Sequence, residues 1–146
     1  MAKKEGEQGI TVTNRVIMEA LKACQVLGDN VLPVKVSLQI AKLKKELTDL
    51  AQPVEETRQK LIYQYAQKDA EGKMKLTEDN TGIFLADGAA FQSAGRELMG
   101  ETVEVKAAKI TLPATVTSTC DKCKHNIDKP LEVAPNILEA LLDFLE

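Results

Sequence analysis

From Val36 to Leu61 the apolar side chains fall at Val36, Ile40, Leu43, Leu47, Leu50, Val54 and Leu61, in steps that follow an alternation of four and three. Thr57 takes the one place in the series that is not apolar. This spacing draws a continuous seam along one face of a long helix, reaching to about Tyr65, and such a seam needs another helix against it. Lys42, Lys44, Lys45, Glu55, Glu56 and Lys60 fall on the outward face. Glu56 and Lys60 form an i,i+4 pair in the favourable order, worth ~0.3–0.5 kcal/mol. Pro53 is the one conflict: inside a helix it removes a hydrogen bond and clashes with the preceding turn, at a cost of about 3 kcal/mol. The sequence therefore predicts either a kink at Gln52–Pro53 or two successive helices. The seam crosses Pro53 without losing phase, which favours one kinked helix.

The flanking segments supply partners. In TVTNRVIMEALKACQVLGDN, Thr11 or Thr13 can cap a helix whose face carries Val16, Ile17, Ala20, Leu21, Cys24 and Leu27. Gly28 suits a left-handed residue just past its end, and Pro33 suits the start of the long helix. The short connection predicts an antiparallel helical hairpin. The polar, glycine-punctuated stretch KDAEGKMKLTEDNTG reads as an exposed turn region. FLADGAAFQSAGRELMG reads as a short helix capped by Asp87 and ended by Gly100, and ETVEVKAAKITL as a strand. A strand needs a neighbour, and TLPATVTST, the run Leu131–Val133 or a second copy are the candidates. APNILEALLDFLE closes the chain as a helix with Pro135 in its first turn. Phe84, Phe91 and Phe144 are expected in the core, and one of Tyr63 and Tyr65 at the surface. The fold class expected is mainly α with a minor β element (α+β): a frayed tail over 1–10, then one domain over 11–146 with a cysteine-containing loop at 113–130.

Composition narrows the function classes. A chain of 146 residues has room for one real core. A net charge of −3 offers no overall basic field for nucleic acid or an anionic membrane, and 3% aromatic residues leave little for stacking bases. No stretch is apolar enough to span a bilayer and MAKKEGEQG lacks the apolar region of a secretory signal, so a soluble intracellular protein is expected. P-loop, dinucleotide-binding, zinc-protease and serine-hydrolase motifs are missing, and no carboxylate pair sits on an apolar wall that would tune it for acid–base work. The expectation is a protein without enzymatic activity. TCDKCKHN is the segment with chemical character: Cys120, Cys123 and His125 offer three ligands where zinc prefers four, so a complete site needs Cys24, Asp121, Asp128 or a second subunit. A loop with free thiols is the plainer reading. Lys42 and Lys45 on the long helix, and Lys122 and Lys124 near the cysteines, are candidates for holding an anionic ligand.

LPVKVSLQIAKLKKEL, ETRQKLIYQYAQKDAEGK, GETVEVKAAKITL and EVAPNILEALLDFLE, in that order, resemble a family of small uncharacterised proteins encoded by tailed bacteriophages, chiefly siphophages of Gram-positive hosts. The resemblance covers Leu32 to the C-terminus, and the longer N-terminus and the Cys120–His125 segment depart from it. It implies a viral protein made in the host cytoplasm and assigns no functional residue. Size, the poor catalytic inventory and the long seam lead to a homo-oligomeric binding protein that sequesters or blocks a host factor or small ligand. Its interface is expected along Ile40, Leu43, Leu47, Leu50, Val54 and Leu61. The alternatives are a virion or assembly component, and a zinc-stabilised nucleic-acid adaptor.

Overall fold

The computed structural model describes residues 8–119, 122, 123 and 125–146. The order of elements is β1 (Gln8–Thr13), α1 (Asn14–Gly28), α2 (Val34–Tyr65), α3 (Gly88–Gly100), β2 (Thr102–Ala107), β3 (Thr115–Thr119), β4 (Asn126–Pro130), α4 (Pro135–Leu141) and a 3-10 turn (Leu142–Phe144). The fold is mainly α with two small antiparallel ribbons, β1–β2 and β3–β4, built around the α1–α2 hairpin.

Thr13 caps α1, its side chain accepting from the Val16 N–H. The helix does not end on a left-handed glycine. Gly28 is its last residue and Asp29 follows in right-handed geometry, its N–H donating back to the carbonyls of Leu27 and Val26, so the chain turns without needing glycine's conformational freedom. α2 runs unbroken for 32 residues with Pro53 inside it. Ala51 and Val54, on either side of Pro53, are both buried.

The core gathers Ile17, Ala20, Ala23, Cys24 and Leu27 of α1, Val36, Ile40, Leu43, Leu47 and Ala51 of α2, Val12 and Val105 of the first ribbon, and Ile110, Leu141 and Phe144. Two features lay outside the sequence reading. First, the tail expected over 1–10 ends earlier, because Gln8–Ile10 belong to β1. Second, the partner of β2 is β1, in register from Gln8↔Ala107 to Thr13↔Thr102, and not TLPATVTST or Leu131–Val133. In QGITVT the run Ile10–Thr13 is β-branched throughout and alternates apolar with polar, which suits a strand. TLPATVTST instead contributes β3, paired with β4, so the segment expected as a cysteine loop is a hairpin. The chain closes on Ile110, whose N–H donates to the Phe144 carbonyl at 2.8 Å while its own carbonyl accepts from Glu146 N–H at 3.1 Å.

The stripe on α2 is covered unevenly. Ile40, Leu43, Leu47 and Val54, expected at an interface between copies, are buried within the chain, because α1, β2 and α3 pack against α2. That part of the interface expectation is corrected: these side chains are core. Past Val54 the pattern changes. Thr57 is exposed, Leu61, Ile62 and Tyr65 are half-buried, and no α2 residue after Val54 is fully buried. α3 packs on α2, yet none of its residues is buried. Phe91 is half-buried and Phe84 is 48% exposed, so of the three phenylalanines only Phe144 is core.

Burial pushes the Cys24 thiol up from 9.0 to about 11, with the Lys44 ammonium acting in the opposite direction. An unfolded chain would ionise this thiol first. The stability it contributes is therefore full below pH 9.0 and is lost as pH rises towards 11. Urea unfolding at about pH 7 and about pH 10 should show a larger loss of stability for the native sequence than for Cys24→Ala; equal losses would contradict this assignment.

Candidate functional site

The last third of α2, which the core leaves uncovered, forms one wall of an open groove. Leu61 comes from α2, and Phe91, Leu98 and Met99 from α3; together they make an apolar lining. Arg15 of α1, Arg58 of α2 and Arg96 of α3 line the same groove, whose volume is about 420 Å³. Of the chain's 19 basic residues these are the only three arginines. Three helices each bring one arginine, far from the others in sequence, to one apolar hollow.

Each placement has a local cause. Arg15 sits in the first turn of α1, and Asn14 beside it ties that turn to the end of α3. Its Nδ2 donates to the Leu98 carbonyl at 2.8 Å and its backbone N–H to the Glu101 carbonyl at 2.9 Å. Asn14 is the only buried polar residue among the described residues. Asp87 starts α3 by accepting from the Ala90 N–H at 3.0 Å. Arg58 pairs with Glu55 at 3.1 Å along the α2 surface, an exposed contact worth only ~0.3–0.5 kcal/mol and easily exchanged. The Arg96 Nε donates to the Gln92 carbonyl. The Arg15 side chain makes no hydrogen bond or ion pair among the described residues. Guanidinium forks bind carboxylates and phosphates in two-point fashion, which lysine cannot match.

Gly95 lies inside α3 and lines the groove. A helix-interior glycine costs about 1 kcal/mol relative to alanine. Nothing within the chain lies within 4 Å of where its Cβ would stand, so internal packing does not account for it.

Phe91 also lines a second hollow of about 310 Å³, with Ile62, Leu76, Ile83 and Leu85. Ile62 belongs to α2; Leu76, Ile83 and Leu85 come from the excursion between α2 and α3, expected as a plain turn region. It is held by bridges Ala66↔Leu85, Lys68↔Met74 and Leu76↔Ile83. At its tip Asn80 takes a φ of 57°, and Asp79 Oδ1 accepts from Thr77 Oγ1 at 2.6 Å and from the Thr81 N–H at 3.2 Å. Those hydrogen bonds, the Thr77 hydroxyl first, hold the Asp79 carboxyl at about 2. Tyr65 meets Phe91 edge-on at 6.2 Å, while exposed Tyr63 carries the Lys68 ammonium 4.2 Å above its ring.

The residues singled out in the sequence are scattered. Lys42 lines a different hollow, of about 460 Å³, with Lys35 of α2 and Lys106 of β2. Lys45 is exposed on α2 and does not line it; Lys122 is exposed between β3 and β4. Lys124 and Cys120 lie outside the described residues. Cys123 is an exposed free thiol and His125 is exposed. Among the described residues no group of three or more His, Cys, Asp and Glu is arranged to hold a metal. Of the expected interface set, Leu61 alone lines the arginine groove. The arginines had no local motif to reveal them; their one sequence signal was rarity.

No family model, curated protein or solved structure matches the chain. No helix among the described residues is long and apolar enough to cross a membrane.

Asn14→Ala leaves the Leu98 carbonyl without its partner and should cost ~1–3 kcal/mol in denaturant unfolding. Amides at the end of α3 should also lose protection against hydrogen exchange. Unchanged protection there would show that Asn14 does not hold α3 to α1.

Proposed function

We propose that this chain is a non-enzymatic binding protein that works through the groove between α2 and α3. One observation carries the reading: all three arginines converge on an apolar groove along the stretch of α2 that the chain does not cover. An apolar floor rewards burial of apolar side chains, and the guanidinium groups select an occupant bearing carboxylates or phosphates. The groove is shallow and continues through Phe91 into the second hollow. That shape suits an elongated partner better than a small molecule, which a deep cleft would enclose.

The resemblance to small proteins of tailed phages supports the biological setting of this reading: a viral protein acting in the cytoplasm of the infected cell, where it sequesters or blocks a host factor. The alternative role, in the virion or its assembly, draws support from β4, exposed throughout, on a two-stranded ribbon whose free edges could receive a neighbour's strand. The Lys35, Lys42 and Lys106 hollow is the alternative place for a small anionic ligand.

Native mass spectrometry of the protein recovered from infected cells tests the binding reading. The native sequence should carry mass beyond its own 16.0 kDa, and R15A/R58A/R96A should lose that mass while keeping its helical circular dichroism. A native chain found bare would contradict the proposal. Finding it as a stoichiometric part of purified particles would favour the assembly role.

A further inference from the structure

The C-terminal segment presents the chemical complement of the groove. Leu141 and Phe144 anchor it in the core, while Leu138 and Leu142 point outward, 36% and 70% exposed. Glu139 and Asp143, also exposed, repeat the same four-residue step beside them. Two leucines and two carboxylates, each pair at i,i+4, make a short acidic ridge of the kind that lies in an apolar groove. From Leu131 to Glu146 the sequence holds four carboxylates and no lysine or arginine. α4 packs on α1, and α3 packs on both α2 and α1, so ridge and groove are mounted on one rigid frame.

We propose that the occupant of the arginine groove is a second copy of this chain, which inserts Leu138 and Leu142 between Arg15, Arg58 and Arg96 and sets Glu139 and Asp143 against the guanidinium groups. This rests on the reading of the groove as a binding site and names its partner. Groove against groove is the weaker arrangement, because it would bring the arginines of two copies together. Ridge into groove pairs unlike surfaces. It gives a two-fold dimer when two such contacts close on each other, and a larger ring otherwise. Of the α2 seam, Ile40, Leu43, Leu47 and Val54 take no part, being buried within the chain, and Leu61 contributes as part of the groove's lining.

Light scattering coupled to size exclusion, on the full chain from about 1 to about 100 µM, reads the assembly directly. The native chain should run as a multiple of 16.0 kDa and dissociate as salt is raised. R58E/R96E and E139K/D143K should each weaken association about tenfold or more. All four positions are exposed, so circular dichroism should stay native. Mixing the two variants should restore a complex, since one now supplies acidic grooves and the other basic ridges. A native chain that stays monomeric at the highest concentration overturns the proposal. So does assembly that neither variant weakens, or a mixture that fails to reassociate. If the native chain is monomeric but a different partner from the infected cell is lost with R15A/R58A/R96A, the groove remains a binding site and only its occupant has been misassigned.

Discussion

The packing of α1 against the N-terminal part of α2 sets everything else in this molecule. An α-helix rises 1.5 Å per residue, so the 15 residues of α1 span about 22 Å and the 32 of α2 about 48 Å. The shorter helix cannot cover the longer one. Where it lies, Leu43 and Leu47 are sealed from water together with Ile17, Cys24 and Leu27. The β1–β2 ribbon and α4 complete that seal. Beyond Val54 the same helix projects past its cover, and α3 and the bridged excursion are what remain to shield it.

That length mismatch makes one helix serve two purposes. Its first two thirds are scaffold. Its last third, with α3, is a wing in which Leu61, Ile62, Tyr65, Phe91, Leu98 and Met99 are all partly shielded and none is buried. Apolar side chains left half-covered lose part of the ~1.5–3 kcal/mol that full burial of each would contribute. A protein can carry such a surface when a partner completes it. Asn14 ties the wing to the scaffold through two hydrogen bonds to the end of α3, and the same turn of α1 delivers Arg15. The geometry of the groove is thereby inherited from the core rather than from loops.

The scaffold was legible because its signals are local and periodic. The seam, the Thr13 and Asp87 caps, Pro33 and Pro135 at helix starts, and the alternation in β2 each follow from a few neighbouring residues. What escaped depends on distance. The pairing of Gln8–Thr13 with Thr102–Ala107 joins the two ends of the helical region; the alternation in ITVT suits a strand, but no local residue names its partner. The seam's periodicity says that a stripe must be covered but not by which copy, so Ile40, Leu43, Leu47 and Val54 were assigned outward when the chain itself hides them. The groove escaped for the same reason: Arg15, Arg58 and Arg96 meet only once three helices are in place. The lysines cluster in sequence, whereas in space Lys42 and Lys45 do not share a hollow.

The division of α2 at Val54 is the central claim, and amide hydrogen exchange followed along that one helix tests it most directly. In dilute protein, amides of α2 up to Val54 should exchange only through global unfolding, while those from Glu55 to Tyr65 and throughout α3 exchange by cheaper local opening. Raising the protein concentration should slow exchange from Glu55 to Tyr65, in α3 and in the C-terminal ridge that fills the groove, and leave α2 up to Val54 unchanged. Uniform protection along α2, unaltered by concentration, would mean that the helix is fully covered by its own chain and that no surface awaits a partner.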